Sequence, residues 1–340
     1  MEVTSYYHRT NPDESGYTLG NFREIWSACF EAIGARSVVE VGAERGRLTQ
    51  ELLDWAHSSG ARVTAIEPEP LSDLLELLEE YDELEIVEEL SLDALEHLPV
   101  PDVVILDGDH NYYTLSGELR LISERAPDGR LPFLIFHDVC WPLARRDQYH
   151  APEIIPEEHR QPYGPNIKVE QGDPGTVQYG LPFEWGALRE GGPGNGVMTA
   201  IEDFMAERQD LRLAVIPLFF GAGFLWSQDA PYADAVAEIV EPWDRNPVLE
   251  RIERVRATQL TQRHAREQEI DDIKAEHERT RAELHRVREE LSRRDAALDA
   301  VLHSRSLAVA ERLSRLRRRD GAGLSREGIR RLIAPDEPQG

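Results

Sequence analysis

Short β-branched runs alternate with helical patterns along the first 136 residues. The runs are Ser37–Gly42, Arg62–Glu67, Leu84–Val87, Asp102–Asp107 and Leu131–Phe136. Apolar residues recur at helical spacing over Leu19–Gly34, Leu48–Ala56, Leu71–Tyr81 and Thr114–Ala126. Strands that are apolar throughout and alternate with helices are typical of a parallel sheet covered on both faces. The sequence therefore predicts an open, doubly wound α/β fold.

The pattern changes after residue 140. Residues 141–195 are rich in Pro, Gly and charged side chains, and a loop of that length inside a domain is usually functional or disordered. A helical pattern over Val197–Arg208 then leads to two apolar runs, Leu211–Phe220 and Phe224–Trp226, which are typical of a closing antiparallel hairpin. We therefore expect a domain over residues 1–245, with 141–195 as a substrate lid.

A long polar helix is predicted for the C-terminal part. After Pro247 there is no Gly or Pro until Gly321. With Leu249 at heptad position a, apolar residues fall at positions a and d, most regularly from Ile270 to Val301, although several polar residues share that seam. We expect a coiled-coil arm over 246–318 that forms homo-oligomers or docks on a partner, and a flexible tail over 319–340.

Composition limits the partners and the compartment. The formal charge of the 340-residue chain is -26, so a general nucleic-acid-binding role is disfavoured, since an acidic surface repels phosphate. No run of about 18 apolar residues and no secretory leader pattern occur, and Cys29 and Cys140 lie far apart. These features predict a cytoplasmic protein whose partners are small molecules, glycans or proteins.

Ligands of open α/β sheets bind beyond the carboxyl ends of the strands, so the residues at those ends are the candidate site. Gly42 and Gly46 would let the backbone approach a ligand, and Glu67 could accept hydrogen bonds from a ribose diol. Both features suit NAD and S-adenosylmethionine alike. The turn Gly42–Gly46 lacks the GxGxxG pattern and places Glu44 where a pyrophosphate would sit, which favours S-adenosylmethionine.

Four motifs in this order carry a family resemblance: VVEVGAERG at 38–46, AIEP at 65–68, VILDGDHNY at 104–112 and FHDV at 136–139. Together they resemble the class I methyltransferases, in particular the bacterial methyltransferase family 24, over roughly residues 20–227. The resemblance implies a Rossmann-like, seven-stranded, mostly parallel sheet with an antiparallel last strand.

The same resemblance implies positions for the cofactor. The methionine part of S-adenosylmethionine would lie against Glu40 and Gly42, with Gly46 in the same turn, and the ribose would lie on Glu67. The adenine would lie near Ser91, Leu92 and Asp93, and Asp107 would border the cofactor.

Acidic and imidazole side chains gather at one rim. In the pattern of metal-dependent O-methyltransferases, Asp107 and Asp138 would bind Mg2+ or Mn2+ and His110 would act as general base. The sequence departs from that pattern at His137, where such enzymes tend to have another acid. Metal-free base catalysis by His110 or His137 therefore stays open as an alternative.

The predicted activity is methylation of a sugar, glycan or natural-product hydroxyl, with Arg145 or Arg146 of the lid contacting the acceptor. One alternative is a non-catalytic, methyltransferase-like binding module in cell-surface glycan assembly. A nicotinamide-dependent oxidoreductase is the other, and the missing GxGxxG argues against it. The basic stretch Ser304–Arg319 resembles endings of bacterial glycan-assembly proteins and could contact a membrane surface.

Overall fold

The computed structural model describes residues 18–317, which form two compact units. The first unit ends at Gln268 and the second begins at Glu269. The prediction of a domain border after residue 245 stays a prediction, as does the lid role of 141–195. The predicted flexible tail, 319–340, lies outside the described residues.

The predicted alternation of strands and helices is present. In chain order the elements are α1 Arg23–Ile33, β1 Ser37–Val41, α2 Arg47–Ser59, β2 Arg62–Ile66, α3 Ser72–Glu80, β3 Leu84–Val87, α4 Ser91–His97, β4 Val103–Leu106, α5 Tyr112–Arg125, β5 Phe133–His137, β6 Tyr163–Val169, β7 Leu181–Ala187, α6 Val197–Ala206, β8 Leu211–Ile216, β9 Ala222–Ser227, α7 Ala233–Val240, α8 Pro247–Leu302 and α9 Arg305–Arg317. Helices α4 and α7 were not predicted.

Seven strands form one sheet in the order β3-β2-β1-β4-β5-β9-β8. Strands β1 to β5 pair in parallel, whereas β9 lies antiparallel between β5 and β8. This arrangement confirms the predicted fold: Rossmann-like, doubly wound and mostly parallel, with an antiparallel last strand. The strand order reverses between β1 and β4, and such a switch point is where open α/β sheets bind ligands.

The sheet is buried on both faces because successive side chains of each strand point to opposite sides. Val38 packs in a cluster with Trp26 of α1 and Leu52 of α2. Its neighbour Val39 packs in a second cluster with Leu119 of α5 and Ile201 of α6. The two layers hold the sheet rigidly, so the residues that follow its strands have fixed positions.

The segment 141–195 is more structured than the sequence predicted. Strands β6 and β7 pair antiparallel as a separate two-stranded sheet. Val169 and Phe183 of this sheet pack with Leu143 and Phe220 in a third apolar cluster. The prediction of a loop was wrong here because Gly164, Pro165 and Asn166 interrupt the strand pattern of β6.

The first part of helix α8 packs on the first unit. The face that it buries there is not the one that carries heptad positions a and d. Glu253, Ala257 and Thr261, one helical turn apart, are buried there. They occupy positions e, b and f of the predicted repeat. Polar residues such as Arg256 can therefore occupy positions a and d in the part of the helix before Gln268, since a different face is packed there.

No helix within residues 18–317 is long and apolar enough to cross a membrane. Helix α9 carries the described part of the basic stretch, up to Arg317. Its contact with a membrane surface stays a prediction.

Candidate functional site

Four neighbouring parallel strands end level with one another. Val41 pairs with Ile66 of β2 and Leu106 of β4, and Leu106 pairs with Phe136 of β5. Their next residues, all predicted site residues, therefore lie along one edge of the sheet: Glu67, Gly42, Asp107 and His137.

The first of these turns depends on Gly42. Its φ is +86°, and a Cβ built there would lie 2.3 Å from the Asp107 carbonyl oxygen and 2.6 Å from the Gly108 Cα. Only glycine lets the backbone after β1 pass so close to the backbone after β4. Gly46 has φ +76° and packs against Leu74 and Leu77 of α3 instead. Gly42 thus allows the close approach of two backbones at the strand ends, while Gly46 allows α3 to pack against the turn.

The Glu67 carboxylate is held by the loops that follow β1 and β2. The backbone N–H of Glu44 donates to Oε2 at 2.8 Å, and that of Glu69 donates to Oε1 at 3.1 Å. Glu67 is half-buried, and each carboxylate oxygen can accept a further hydrogen bond. It is a fixed acceptor pair at the edge, as a ribose diol requires.

Glu40 lies beneath the edge. It is only 1% exposed, and the Thr49 hydroxyl donates to its Oε2 at 2.6 Å. Burial raises the pKa of Glu40 to about 8, and the nearby carboxylates of Asp107 and Glu67 act in the same direction. As the structure stands, Glu40 can influence the edge electrostatically but offers almost no surface to a ligand.

The predicted adenine residues form the first turn of α4. Ser91 and Leu92 are half-buried and Asp93 is exposed. The helix begins shortly after β3, whose Val87 carbonyl accepts the Glu67 N–H at 3.0 Å. These residues therefore follow β3, which pairs with β2 in the sheet, and their contact with adenine stays a prediction.

Asp107, His110, His137 and Asp138 converge into one cluster, whose candidate ligand atoms all lie within 4.8 Å of one another. His110 Nε2 lies 2.9 Å from Asp138 Oδ2 and 3.3 Å from Asp107 Oδ1. His137 Nδ1 lies 3.1 Å from Asp107 Oδ1 and 3.4 Å from Asp138 Oδ2. We call these four residues the rim cluster.

Opposite charges perturb the pKa values in the rim cluster. Burial alone would raise the carboxyl pKa values of Asp107 and Asp138, but His137 and His110 outweigh it and hold both below their ordinary range. Burial would lower the imidazole pKa of His110, but Asp138 and Asp107 raise it to about 10. The same carboxylates raise the pKa of His137 well above its ordinary value.

The two imidazoles differ in orientation and access. His137 Nε2 donates to the Phe219 carbonyl at 3.0 Å, so its Nδ1 faces the two carboxylates. Its side chain is 3% exposed, against 22% for that of His110. A histidine that donates one N–H to a backbone carbonyl and presents the other nitrogen to a cation is the usual arrangement of a metal ligand. His110 is therefore the more accessible of the two imidazoles.

The Phe219 carbonyl is itself held in place by α8. Phe219 and Phe220 have φ values of +51° and +68°. Their backbone N–H groups donate to Glu253 Oε2 and Oε1, both at 2.9 Å. Arg256 donates to the same two oxygens, both at 2.7 Å. Sequence reasoning missed this contact, because it runs through backbone groups and through a residue of the arm.

The segment 141–195 is tied to the loop that carries the rim cluster. Asp147 Oδ1 accepts from the Tyr112 N–H at 2.8 Å, and Asp109 Oδ1 accepts from the His150 N–H at 3.2 Å. The Gln148 N–H donates to the His110 carbonyl at 3.0 Å. The segment is therefore held beside His110 by these hydrogen bonds.

The two arginines predicted to contact the acceptor, Arg145 and Arg146, differ in burial and in partners. Arg146 is fully buried, and its guanidinium donates to the carbonyls of Ala187, Pro174 and Gly175. Its predicted contact with an acceptor is therefore wrong: the side chain holds the segment together. Arg145 is half-buried and makes a two-pronged ion pair with Glu202, both N–O distances being 2.7 Å.

Comparison with known proteins gives structural likeness alone. No protein-family model and no curated protein matches the sequence. The SAH-bound methyltransferase PaMTH1 of Podospora anserina is 14% identical, covering 66% of this chain and 86% of its own, with a TM-score of 0.40. A candidate caffeoyl-CoA O-methyltransferase of Staphylococcus aureus is 11% identical, covering 66% and 96%, with a TM-score of 0.39. A Corynebacterium glutamicum protein is 12% identical, covering 67% and 91%, with a TM-score of 0.39.

Proposed function

We propose that this chain is an S-adenosylmethionine-dependent methyltransferase that methylates a hydroxyl group of a polar acceptor, such as a sugar or glycan. The observation that carries the proposal is the strand-end edge, where Gly42, Glu67 and the rim cluster follow adjacent parallel strands. A close glycine turn and a fixed acidic acceptor suit a nucleoside cofactor without pyrophosphate. Beside them lies a set of groups that can handle the proton of a hydroxyl.

The cofactor supplies an electrophilic methyl group when bound. In the proposed site Glu67 accepts hydrogen bonds from the ribose diol, and the Gly42 turn leaves room for the methionine part. Ser91, Leu92 and Asp93 lie toward the adenine. Glu40 lies beneath that turn, held by the Thr49 hydroxyl of α2, and its place against the methionine part stays a prediction.

The residues of the rim cluster fit a divalent ion. Asp107, Asp138 and His137 Nδ1 would hold it, with the Phe219 carbonyl fixing the His137 ring. Because the donor set includes an imidazole, it suits Mn2+ or a similar transition-metal ion better than Mg2+. Such an ion would supply Lewis acidity that lowers the pKa of an acceptor hydroxyl. We assign His137 to ion binding rather than to base catalysis.

His110 is the proposed proton acceptor. Its Nε2 lies among the carboxylates of the rim cluster, and its ring is the more exposed of the two imidazoles. In the transfer the acceptor oxygen bonds to the methyl carbon, the carbon–sulfur bond breaks with its electron pair on sulfur, and the hydroxyl proton passes to the neutral form of His110. Asp138 and Asp107 raise the pKa of His110 to about 10, and a divalent ion on these two carboxylates would offset their charge and so favour the neutral imidazole. The adjoining 141–195 segment forms one wall of the acceptor entrance.

Cofactor identity and the role of Glu67 are tested together by calorimetric titration. We expect the full chain to bind S-adenosylmethionine and not NAD. Glu67→Ala should weaken that binding by about 10- to 100-fold, since hydrogen bonds to a charged group contribute about 1.5–3 kcal/mol.

Glu69→Ala is the matched control, because it removes an exposed carboxylate from the same loop and keeps the backbone N–H that Glu67 accepts. It should bind S-adenosylmethionine like the wild type. Binding of NAD alone would overturn the proposal, and binding of neither would favour a non-catalytic recognition module.

A further inference from the structure

The second unit carries an exposed apolar stripe at heptad spacing. From Glu269 to Leu302, helix α8 is exposed almost throughout. The apolar residues at positions a and d are 37–59% exposed: Ile270, Ile273, Leu284, Val287, Leu291, Leu298 and Val301. The stripe extends for about 50 Å at 1.5 Å per residue, and a helix with such a seam is stabilised by a partner helix.

Charged residues of two signs flank the stripe on opposite sides. Position g, which precedes each a, is acidic in four successive heptads: Glu269, Glu276, Glu283 and Glu290. Position e, which follows each d, is basic in the first three heptads and acidic in the fourth: Lys274, Arg281, Arg288 and Asp295. Charges at e and g set the partner and the orientation of a coiled coil.

The signs fit a parallel pair of identical helices. In a parallel, in-register pair each g residue faces the e residue five positions later on the other helix. Glu269 then meets Lys274, Glu276 meets Arg281 and Glu283 meets Arg288, which gives three opposite-charge pairs on each side of the seam. The fourth pair, Glu290 with Asp295, is like-charged, but Glu290 already pairs with Arg294 of its own helix at 2.6 Å.

An antiparallel pair would bring like charges together. There g faces g and e faces e, so glutamates would oppose glutamates and basic residues would oppose basic residues over the first three heptads. Repulsion at those positions disfavours this orientation.

We propose that the stripe is covered by a second copy of this chain, in a parallel, in-register, two-stranded coiled coil over 269–302. Leucine at a with β-branched residues at d by itself shifts the preference towards three or four strands. However, Thr280 and Arg294 at d would then lie in a drier core, whereas a two-stranded seam leaves the Arg294 guanidinium in reach of water and Glu290. The inference is independent of the proposed methyl transfer.

Disulfide trapping tests register and orientation directly. Ile273→Cys places a thiol at d near one end of the stripe, so in the full chain the two copies should cross-link in a redox buffer. In an antiparallel pair those thiols would be about 37 Å apart along the axis. Ala275→Cys, two residues away at position f on the outer face, is the matched control, and the wild-type chain reports any reaction of Cys29 and Cys140.

We expect a covalent dimer for Ile273→Cys and none for the two controls. Equal trapping at 273 and 275, or a monomer mass of the full chain in sedimentation, would overturn the proposal. A tetramer mass would overturn its two-stranded form.

Charge reversal tests the pairing itself. Arg281→Glu with Arg288→Glu replaces attraction by repulsion at four pairs and should raise the dimer dissociation constant tenfold or more, roughly as expected for partly screened ion pairs. Arg279→Glu with Arg286→Glu makes the same change of net charge at the outward c positions. Equal weakening by the two double variants would contradict the e–g pairing.

Discussion

Gly42→Ala is expected to destabilise the fold by about 2–5 kcal/mol, the sum of backbone strain at positive φ and of overpacking. The added Cβ would lie 2.3 Å from the Asp107 carbonyl oxygen and 2.7 Å from the carbon of that carbonyl. Both are backbone atoms, so relief requires the turn after β1 to move away from the end of β4. That movement would also open the strand-end edge, and S-adenosylmethionine binding should be lost with it. Urea unfolding measures the change in stability.

Gly34→Ala is the matched control for the conformational part. Gly34 ends α1 with φ +69°, and a Cβ built there meets nothing within 4 Å. Gly34→Ala should lower the free energy of unfolding only by the strain of the left-handed conformation, about 1–2 kcal/mol. Equal losses for the two variants would contradict the close approach of the two backbones.

Glu253→Gln is expected to destabilise the first unit by about 3 kcal/mol, because it breaks a buried, hydrogen-bonded ion pair. The amide nitrogen of glutamine would face donors, since Phe219, Phe220 and Arg256 all donate to this carboxylate. Two residues at positive φ would also lose the contact that holds them. The change in unfolding free energy is measured in urea.

A local effect on the rim cluster should accompany that loss. The Phe219 carbonyl accepts from His137 Nε2, so release of its turn should shift the imidazole 15N resonances of His137. The resonances are assigned with His137→Gln. Glu250→Gln, one turn earlier on the same helix, removes an exposed partner of Arg254 and should change stability by about 0.5 kcal/mol or less. Unshifted His137 resonances in folded Glu253→Gln would contradict the positioning role of Glu253.

The strand ends could be predicted because apolar β-branched runs specify both the strands and where they stop. Asp107 and His137 come directly after or at the end of such runs, and parallel strands end at one edge, so their convergence follows from the pattern. The seven-stranded sheet with an antiparallel last strand was implied by the family resemblance, and the order of the strands in the sheet was not predicted. The roles assigned to them rest on the proposed function.

The features that were not predicted from the sequence depend on contacts between residues far apart in the chain, which no local sequence pattern indicates. Strand β6 forms across Gly164 and Pro165 because β7 and the apolar residues Leu143 and Phe220 are there to pack on it. Glu253 stands in a run of charged helical residues, and nothing nearby in the sequence distinguishes it from Glu250. Phe219 acts through its carbonyl, which is invisible in a side-chain pattern.

For Arg146 the sequence suggested a ligand contact where the structure shows an internal one. An arginine in a Pro- and Gly-rich segment of an acidic protein suggested an anionic or sugar-bearing ligand. In the structure the buried guanidinium donates to three backbone carbonyls of that segment, those of Ala187 at the end of β7 and of Pro174 and Gly175 between the two strands. The several N–H donors of the guanidinium, which would suit an anionic or sugar ligand, here bind the chain's own backbone carbonyls.

The most direct test of the account is whether the methyl donor and the rim cluster share one site. Neighbouring strands lie about 4.8 Å apart, so the ends of β2 and β4, two spacings apart, lie within about 10 Å. S-adenosylmethionine labelled with 13C in its methyl group is added to the full chain, and the methyl resonance is followed while Mn2+ is titrated. Mg2+ is the diamagnetic control, and Asp138→Asn is the variant with a weakened cluster. We expect Mn2+ to broaden the methyl resonance of the bound donor in the wild type and to do so much less in Asp138→Asn. A donor that binds and keeps a sharp methyl resonance at saturating Mn2+ would contradict it.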